Sequence, residues 1–99
     1  MLWVGGVTAS IKIAAIAESS GREIAMHAGC NDPYGQHLCY ALPGNRWGEM
    51  FVGASPGEEL MNTYRATSGM ALPINGYLVP SDAPGVGTEL TLDGIEAAT

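Results

Sequence analysis

The first half of the chain switches at short intervals between a helical and a strand-like apolar pattern, and this alternation constrains the fold more than any other feature. From Ala9 to Ser19, Ile11, Ile13, Ala14, Ala15, Ile16 and Ala17 cover a broad helical face. Lys12, Glu18 and Ser19 leave only a narrow polar side, the pattern of a helix mostly buried against something larger. Thr8 or Ser10 can cap its start, and Gly21 fits just past its end, where a left-handed backbone is needed. Arg22 to His27 reads as a short strand centred on Ile24, Ala25 and Met26. A second helix is expected from Asp32 or Pro33 to Leu42, with Tyr34, Leu38, Ala41 and Leu42 at helical spacing and Pro43-Gly44 ending it. Trp47 to Val52 reads as a second strand with Glu49 embedded in it. Helix, strand, helix, strand on short loops favours parallel α/β architecture.

Beyond Gly53 the regularity fades. Pro56-Gly57 opens an irregular, partly helical stretch to about Ser68. Asn75-Gly76 between apolar flanks is a hairpin signal, weakened by Pro73. Pro84-Gly85-Val86-Gly87 is a further turn, and Glu89 to Leu92 is expected to form a last short strand. The expected division is therefore residues 1–55, alternating α/β, and residues 56–99, an irregular β-containing tail.

A length of 99 residues with 46% apolar composition suits one small domain able to bury a core. The net charge of −6, with only four Lys and Arg, argues against nucleic acid and against anionic membrane surfaces. No apolar run is long enough to span a bilayer. The apolar start lacks a basic leader, and Lys12 interrupts it, so it does not read as a signal peptide. A soluble, cytoplasmic protein is expected. Cys30 and Cys39 are too few for a disulfide scaffold and form no CxxC motif, which leaves two reduced, mostly buried thiols.

In parallel α/β folds, reactive groups collect at the C-terminal ends of strands. His27 closes the first expected strand before Ala28-Gly29, and imidazole is the side chain best suited to proton transfer near neutral pH. Glu49 lies in the second expected strand, where Trp47, Met50 and Phe51 suggest burial and hence need for a partner. His37, inside the second expected helix, reads as a packing or surface histidine. Gly5-Gly6 and Pro84-Gly85-Val86-Gly87 lack dinucleotide-loop spacing and read as turns.

Trp3-Val4-Gly5-Gly6-Val7-Thr8, Met26-His27-Ala28-Gly29, Pro33-Tyr34-Gly35-Gln36-His37-Leu38, Trp47-Gly48-Glu49-Met50-Phe51 and Leu72-Pro73-Ile74-Asn75-Gly76 occur in this order. Together with Pro84-Gly85-Val86-Gly87-Thr88-Glu89-Leu90 they resemble the late barrel segments of the mandelate racemase and muconate lactonizing branch of the enolase superfamily. Within it, the resemblance is nearest to the acid-sugar dehydratases, such as the L-rhamnonate dehydratases.

The resemblance implies the C-terminal part of a (β/α)8-type barrel, followed by a tail returning to a capping domain. It implies abstraction of a proton alpha to a carboxylate, with the enediolate stabilised on Mg²⁺, and a small carboxylate or acid-sugar substrate. His27 matches the histidine ending the seventh strand, a general acid or base. Glu49 matches the glutamate ending the eighth, which hydrogen-bonds substrate or intermediate. The family's metal ligands lie on earlier strands, so no metal ligand is expected in this chain. The aspartate that orients the histidine would fall just ahead of Met1, and no other carboxylate of the chain is expected to replace it. A whole barrel takes about 250 residues. The expectation is thus a fragment, inactive alone, of a dehydratase that forms homo-oligomers. A racemase, epimerase or cycloisomerase parent is the alternative within the superfamily. A small non-catalytic domain that binds a partner through its apolar surface is the alternative outside it.

Overall fold

Helix α1 (Gly6–Ser19) begins ahead of the expected start at Ala9. Its N-cap is Gly5, at φ 104°, with no side-chain capping bond. Neither Thr8 nor Ser10 caps it, because both already lie inside the helix, and the Ser10 hydroxyl donates back to the Gly6 carbonyl at 2.9 Å. The far end is a Schellman motif. Gly21, at φ 65°, donates to Glu18 O at 2.9 Å, and Arg22 donates to Ala17 O at 2.9 Å. The positive φ explains why glycine stands there.

The computed structural model describes residues 4–51, 55–57, 68–89 and 91–96. Within them α1 is less covered than its pattern implies. Its buried residues are Ser10 and Ala14, whereas Ile11, Ile13 and Ile16 are exposed. A helix apolar nearly all round can cover only a narrow strip when its neighbours are short, and residues 24–27 and 42–44, which line hollows with it, are two such stretches.

The two expected strands are not regular strands among the described residues, and Val52 lies outside them. The segments 22–26 and 45–51 nevertheless run side by side in the same direction. Ile24 donates to Gly44 O at 3.1 Å, Arg46 pairs with Glu23 at 2.9 Å, and Cys30 donates to Glu49 O at 3.0 Å. The two main-chain bonds advance together, from Ile24 with Gly44 to Cys30 with Glu49, which is the sense of a parallel arrangement, although the side-chain pair of Glu23 and Arg46 reverses the local order. Too few of the evenly spaced bonds of a parallel ladder are made for either segment to become a strand, since such strands are normally paired on both sides.

Helix α2 (Pro33–Ala41) forms where expected and ends at the C-cap Leu42. Asp32 caps it by accepting from the Gly35 amide at 2.6 Å, and Pro33 occupies the first turn, where its missing N–H costs nothing. Its buried face is Pro33, Gly35, Gln36, Leu38 and Cys39, and Tyr34 points outward, contrary to the expected apolar face. Asp32 and Pro33 set the rotation of the helix, turning Gly35 rather than Tyr34 toward the Gly29 backbone.

In the tail, Ile74 and Tyr77 form an isolated antiparallel bridge across Asn75-Gly76. Both turn residues have positive φ, 51° and 80°, the type I′ geometry that the Asn-Gly pair favours. Ser68 and Glu89 close this region, the Glu89 amide donating to Ser68 Oγ at 3.1 Å. The expected strand at Glu89 to Leu92 is absent among the described residues. Leu92 instead opens a short helix, α3 (Leu92–Glu96), with Asp93 favourably placed in its first turn. Most of the expected irregular stretch to Ser68 lies outside the described residues. Gln36 ties the halves together, crossing the expected division at residue 55. Its Nε2 donates to Cys30 O at 3.0 Å and Ala71 O at 2.9 Å, and its Oε1 accepts from the Ala71 amide at 2.9 Å. No helix among the described residues is long and apolar enough to cross a membrane.

Candidate functional site

The loop that follows segment 22–26 is built so that His27 turns away from the core. Ala28 adopts a left-handed conformation at φ 49°. Gly29 donates to Met26 O at 2.8 Å, and Asn31 donates to Ala28 O at 3.0 Å. A Cβ on Gly29 would stand 2.7 Å from Met26 Cβ and 2.8 Å from Cys39 Sγ, so this turn closes only with glycine. The His27 side chain is 91% exposed.

Glu49 comes from the neighbouring segment, and its side chain is half exposed rather than buried among Trp47 and Phe51, which are themselves exposed. Its Oε1 lies 3.1 Å from His27 Nδ1. The structure therefore brings the two sequence-predicted site residues together, and it supplies His27 with a carboxylate that the sequence reading did not foresee. The contact is an ion pair when the imidazole is protonated. When the imidazole is neutral with Nδ1 carrying the proton, Nδ1 donates to Glu49 and leaves Nε2 as an acceptor.

Three groups hold these segments in place, and none was given that role from the sequence. Asn31 bridges across to the main chain of Phe51, its Nδ2 donating to Phe51 O at 2.7 Å and its Oδ1 accepting from the Phe51 amide at 2.8 Å. Gln36, fully buried, holds the Cys30 carbonyl from beneath. Cys39 packs against Gly29. A polar residue at a buried helical position was the available signal for Gln36. Asn31 carried no signal separable from the Asp32-Pro33 cap beside it.

Cys30 and Cys39 are both free and buried. The Cys39 thiol donates to the Cys30 sulfur, which lowers Cys30 to about 7 against the opposing effects of burial and the Asp32 charge. The same bond, with burial, pushes Cys39 well above the usual thiol range. His37, expected to pack or lie at the surface, is half-buried, and its Nε2 is buried without a hydrogen-bond partner. It does not line the hollow of about 290 Å³ that His27 shares with Val4, Ser10, Ile13, Ile24, Ala25 and Met26. Apolar walls with a polar side chain at the edge are the usual character of a small-molecule site. Among the described residues no three His, Cys, Asp or Glu side chains come close enough to hold a metal ion.

A family model described as "Enolase C-terminal domain-like" matches residues 1–94. A protein of Caldivirga maquilingensis carrying the name "Putative L-rhamnonate dehydratase" is 33% identical over 92 residues. That match takes in 92% of this chain and 23% of the relative, so the chain spans about a quarter of the length of the protein it resembles. No solved structure gives a significant match.

Proposed function

The chain belongs to the enolase C-terminal domain-like family, and from that premise we propose that it supplies the proton-transfer part of an acid-sugar dehydratase active site. The observation that carries this reading is the 3.1 Å contact between His27 Nδ1 and Glu49 Oε1, on two segments that run parallel. In this reading Glu49 accepts from Nδ1, fixing the ring and presenting Nε2 to the substrate. A protonated His27 gives its Nε2 proton to the departing hydroxyl, which leaves as water. Glu49 stabilises the charged imidazole before that step and keeps a second oxygen for a hydrogen bond to the substrate or intermediate. A carboxylate that orients an imidazole in this way is a recurrent arrangement in acid–base catalysis.

Abstraction of a proton alpha to a carboxylate requires oriented positive charge on the enediolate, and Mg²⁺ supplies it in this superfamily. The described residues do not form a ligand set for that ion. In our reading its ligands belong to other parts of a longer polypeptide, and the 99-residue chain alone is inactive. A barrel built around residues 22–26 and 45–51, and assembly of that polypeptide as a homo-oligomer, are part of the same proposal. So is a cytoplasmic location.

The test is to incubate the full polypeptide with Mg²⁺ and a panel of acid sugars, L-rhamnonate among them, and to assay for 2-keto-3-deoxy acids. Dehydration of at least one sugar is expected, with none by the 99-residue chain. Inversion or cyclisation without loss of water would favour the racemase, epimerase or cycloisomerase alternative. A second reading, a partner-binding module, draws on the exposed Val7, Ile11, Ile13 and Ile16 of α1. A stable complex with another protein and no acid-sugar chemistry would favour it.

A further inference from the structure

We propose that Asn31 is a positioning residue that sets the distance between His27 and Glu49. The geometry is that of a clamp. His27 opens the turn at 27–30 and Asn31 directly follows it, whereas Glu49 stands two residues before Phe51 on the opposite segment. The Asn31 amide satisfies both main-chain groups of Phe51, at 2.7 and 2.8 Å, which only a side chain with an adjacent donor and acceptor can do. One residue earlier, the Cys30 amide donates to Glu49 O at 3.0 Å. These three bonds tie the His27 loop to the main chain of the Glu49 segment, and two of them run through Asn31.

The His27 side chain is almost wholly exposed, and that of Glu49 is half exposed. Packing therefore does little to hold the pair together, and its separation follows from the backbones that carry it. Asn31 acts on the pair through the backbone of residues 49–51, which its side chain holds at Phe51. On the Asn31 side, Gly29 and Asn31 are themselves fixed by bonds to Met26 and Ala28, so a shift at Phe51 would not be followed by the loop. Displacement of a reacting group by about 1 Å costs on the order of a hundredfold in rate.

The inference uses the proposed proton-transfer role only for its kinetic consequences, and its structural half can be tested without any activity. Asn31→Leu, which keeps the size and removes both bonds, and Asn31→Asp, which keeps the acceptor and loses the donor, are compared with wild type and Glu49→Gln in the full polypeptide. Nitrogen chemical shifts of the His27 ring at one fixed pH report directly whether Nδ1 is engaged by Glu49. Asn31→Leu should reproduce the ring shifts of Glu49→Gln, and Asn31→Asp should fall between it and wild type, with thermal melts retained in both. Wild-type ring shifts in Asn31→Leu overturn the proposal. If Asn31→Leu does not fold, Asn31→Asp decides: wild-type ring shifts there also overturn it.

The kinetic half follows if acid sugars are turned over. Asn31→Leu should then lose roughly tenfold to a hundredfold in kcat with KM within about twofold of wild type. A raised KM with unchanged kcat would assign Asn31 to substrate binding and overturn the positioning role. Absence of turnover in wild type would defeat the dehydratase reading alone, leaving the ring chemical shifts to judge Asn31.

Discussion

His27 Nδ1 and Glu49 Oε1 lie 3.1 Å apart, although a turn, the whole of α2 and an extended run separate the two residues along the chain. The contact joins the turn that follows one segment to a residue within the other. If this pair moves the proton, His27→Asn should lower kcat of the full polypeptide by about 10²–10⁴-fold, the usual worth of a general acid or base. Glu49→Gln, which keeps shape and loses charge, should lower it less. Because both side chains are largely exposed, neither change should move the melting temperature by more than about 2 °C. Steady-state kinetics and calorimetry on the same samples check both statements.

Gln36→Leu should destabilise the fold by about 2–4 kcal/mol in equilibrium denaturation. The substitution removes a side chain with no exposed surface, and it strands the Cys30 carbonyl and both main-chain groups of Ala71. Buried groups that lose partners cost more than the bonds themselves contribute.

Two glycines should respond in opposite ways to alanine. A Cβ on Gly35 would overlap the Gly29 carbonyl, which is main chain and cannot swing aside, so Gly35→Ala should cost roughly 3 kcal/mol or more, or abolish folding. Gly44 has open space around its would-be Cβ, and Gly44→Ala should be close to neutral. Chemical denaturation of the two variants side by side is the measurement.

The thiol pair should release its first proton early and its second late. Ultraviolet absorbance of thiolate should rise with a midpoint near pH 7, since Cys30 is lowered to about 7, and the second step should come far above the ordinary thiol range. The sign follows from the hydrogen bond. Cys39 donates to the sulfur that carries the charge, so the anion is favoured and the charged form prevails above the midpoint. Cys39→Ala removes the donor while burial and Asp32 still oppose charge. The midpoint should then move up toward or beyond 9.0, and thiolate at pH 7 should fall roughly tenfold or more.

Much of this was legible in the residues because it is locally encoded. Asp32-Pro33 marks the start of α2, Gly21 marks the end of α1, and Asn75-Gly76 makes a type I′ turn, each through preferences acting over a few residues. His27 and Glu49 were singled out because an ionisable side chain at the end of an apolar run, or within one, is itself a pattern. What escaped detection depends on partners distant in sequence. The Asn31 clamp needs Phe51, the Gln36 bridge needs Ala71, and the meeting of His27 with Glu49 needs two segments in register. The expected strand after Glu89 failed for the opposite reason. A short apolar run fits either period, and the acidic first turn of α3 won. The coverage of α1 was overestimated because an apolar pattern records a capacity for burial and not the area a neighbour supplies.

The paired contacts Ile24 with Gly44, Glu23 with Arg46, and Asn31 with Phe51 have a consequence for how this region tolerates change in length. The stretch between them, α2 with its closing turn at Pro43-Gly44, acts as a spacer whose residue count is read out at the site. The turn is fastened at its exit, Asn45 donating to Leu42 O at 3.0 Å and through its side chain to Cys39 O at 3.2 Å. Deleting one residue there would slide the following segment by one step, and in an extended backbone one step reverses the side on which a side chain emerges. Glu49 would then face away from His27 with every atom of both residues intact. Insertions and deletions between positions 33 and 45 should accordingly be far rarer among functional relatives than substitutions at the same positions.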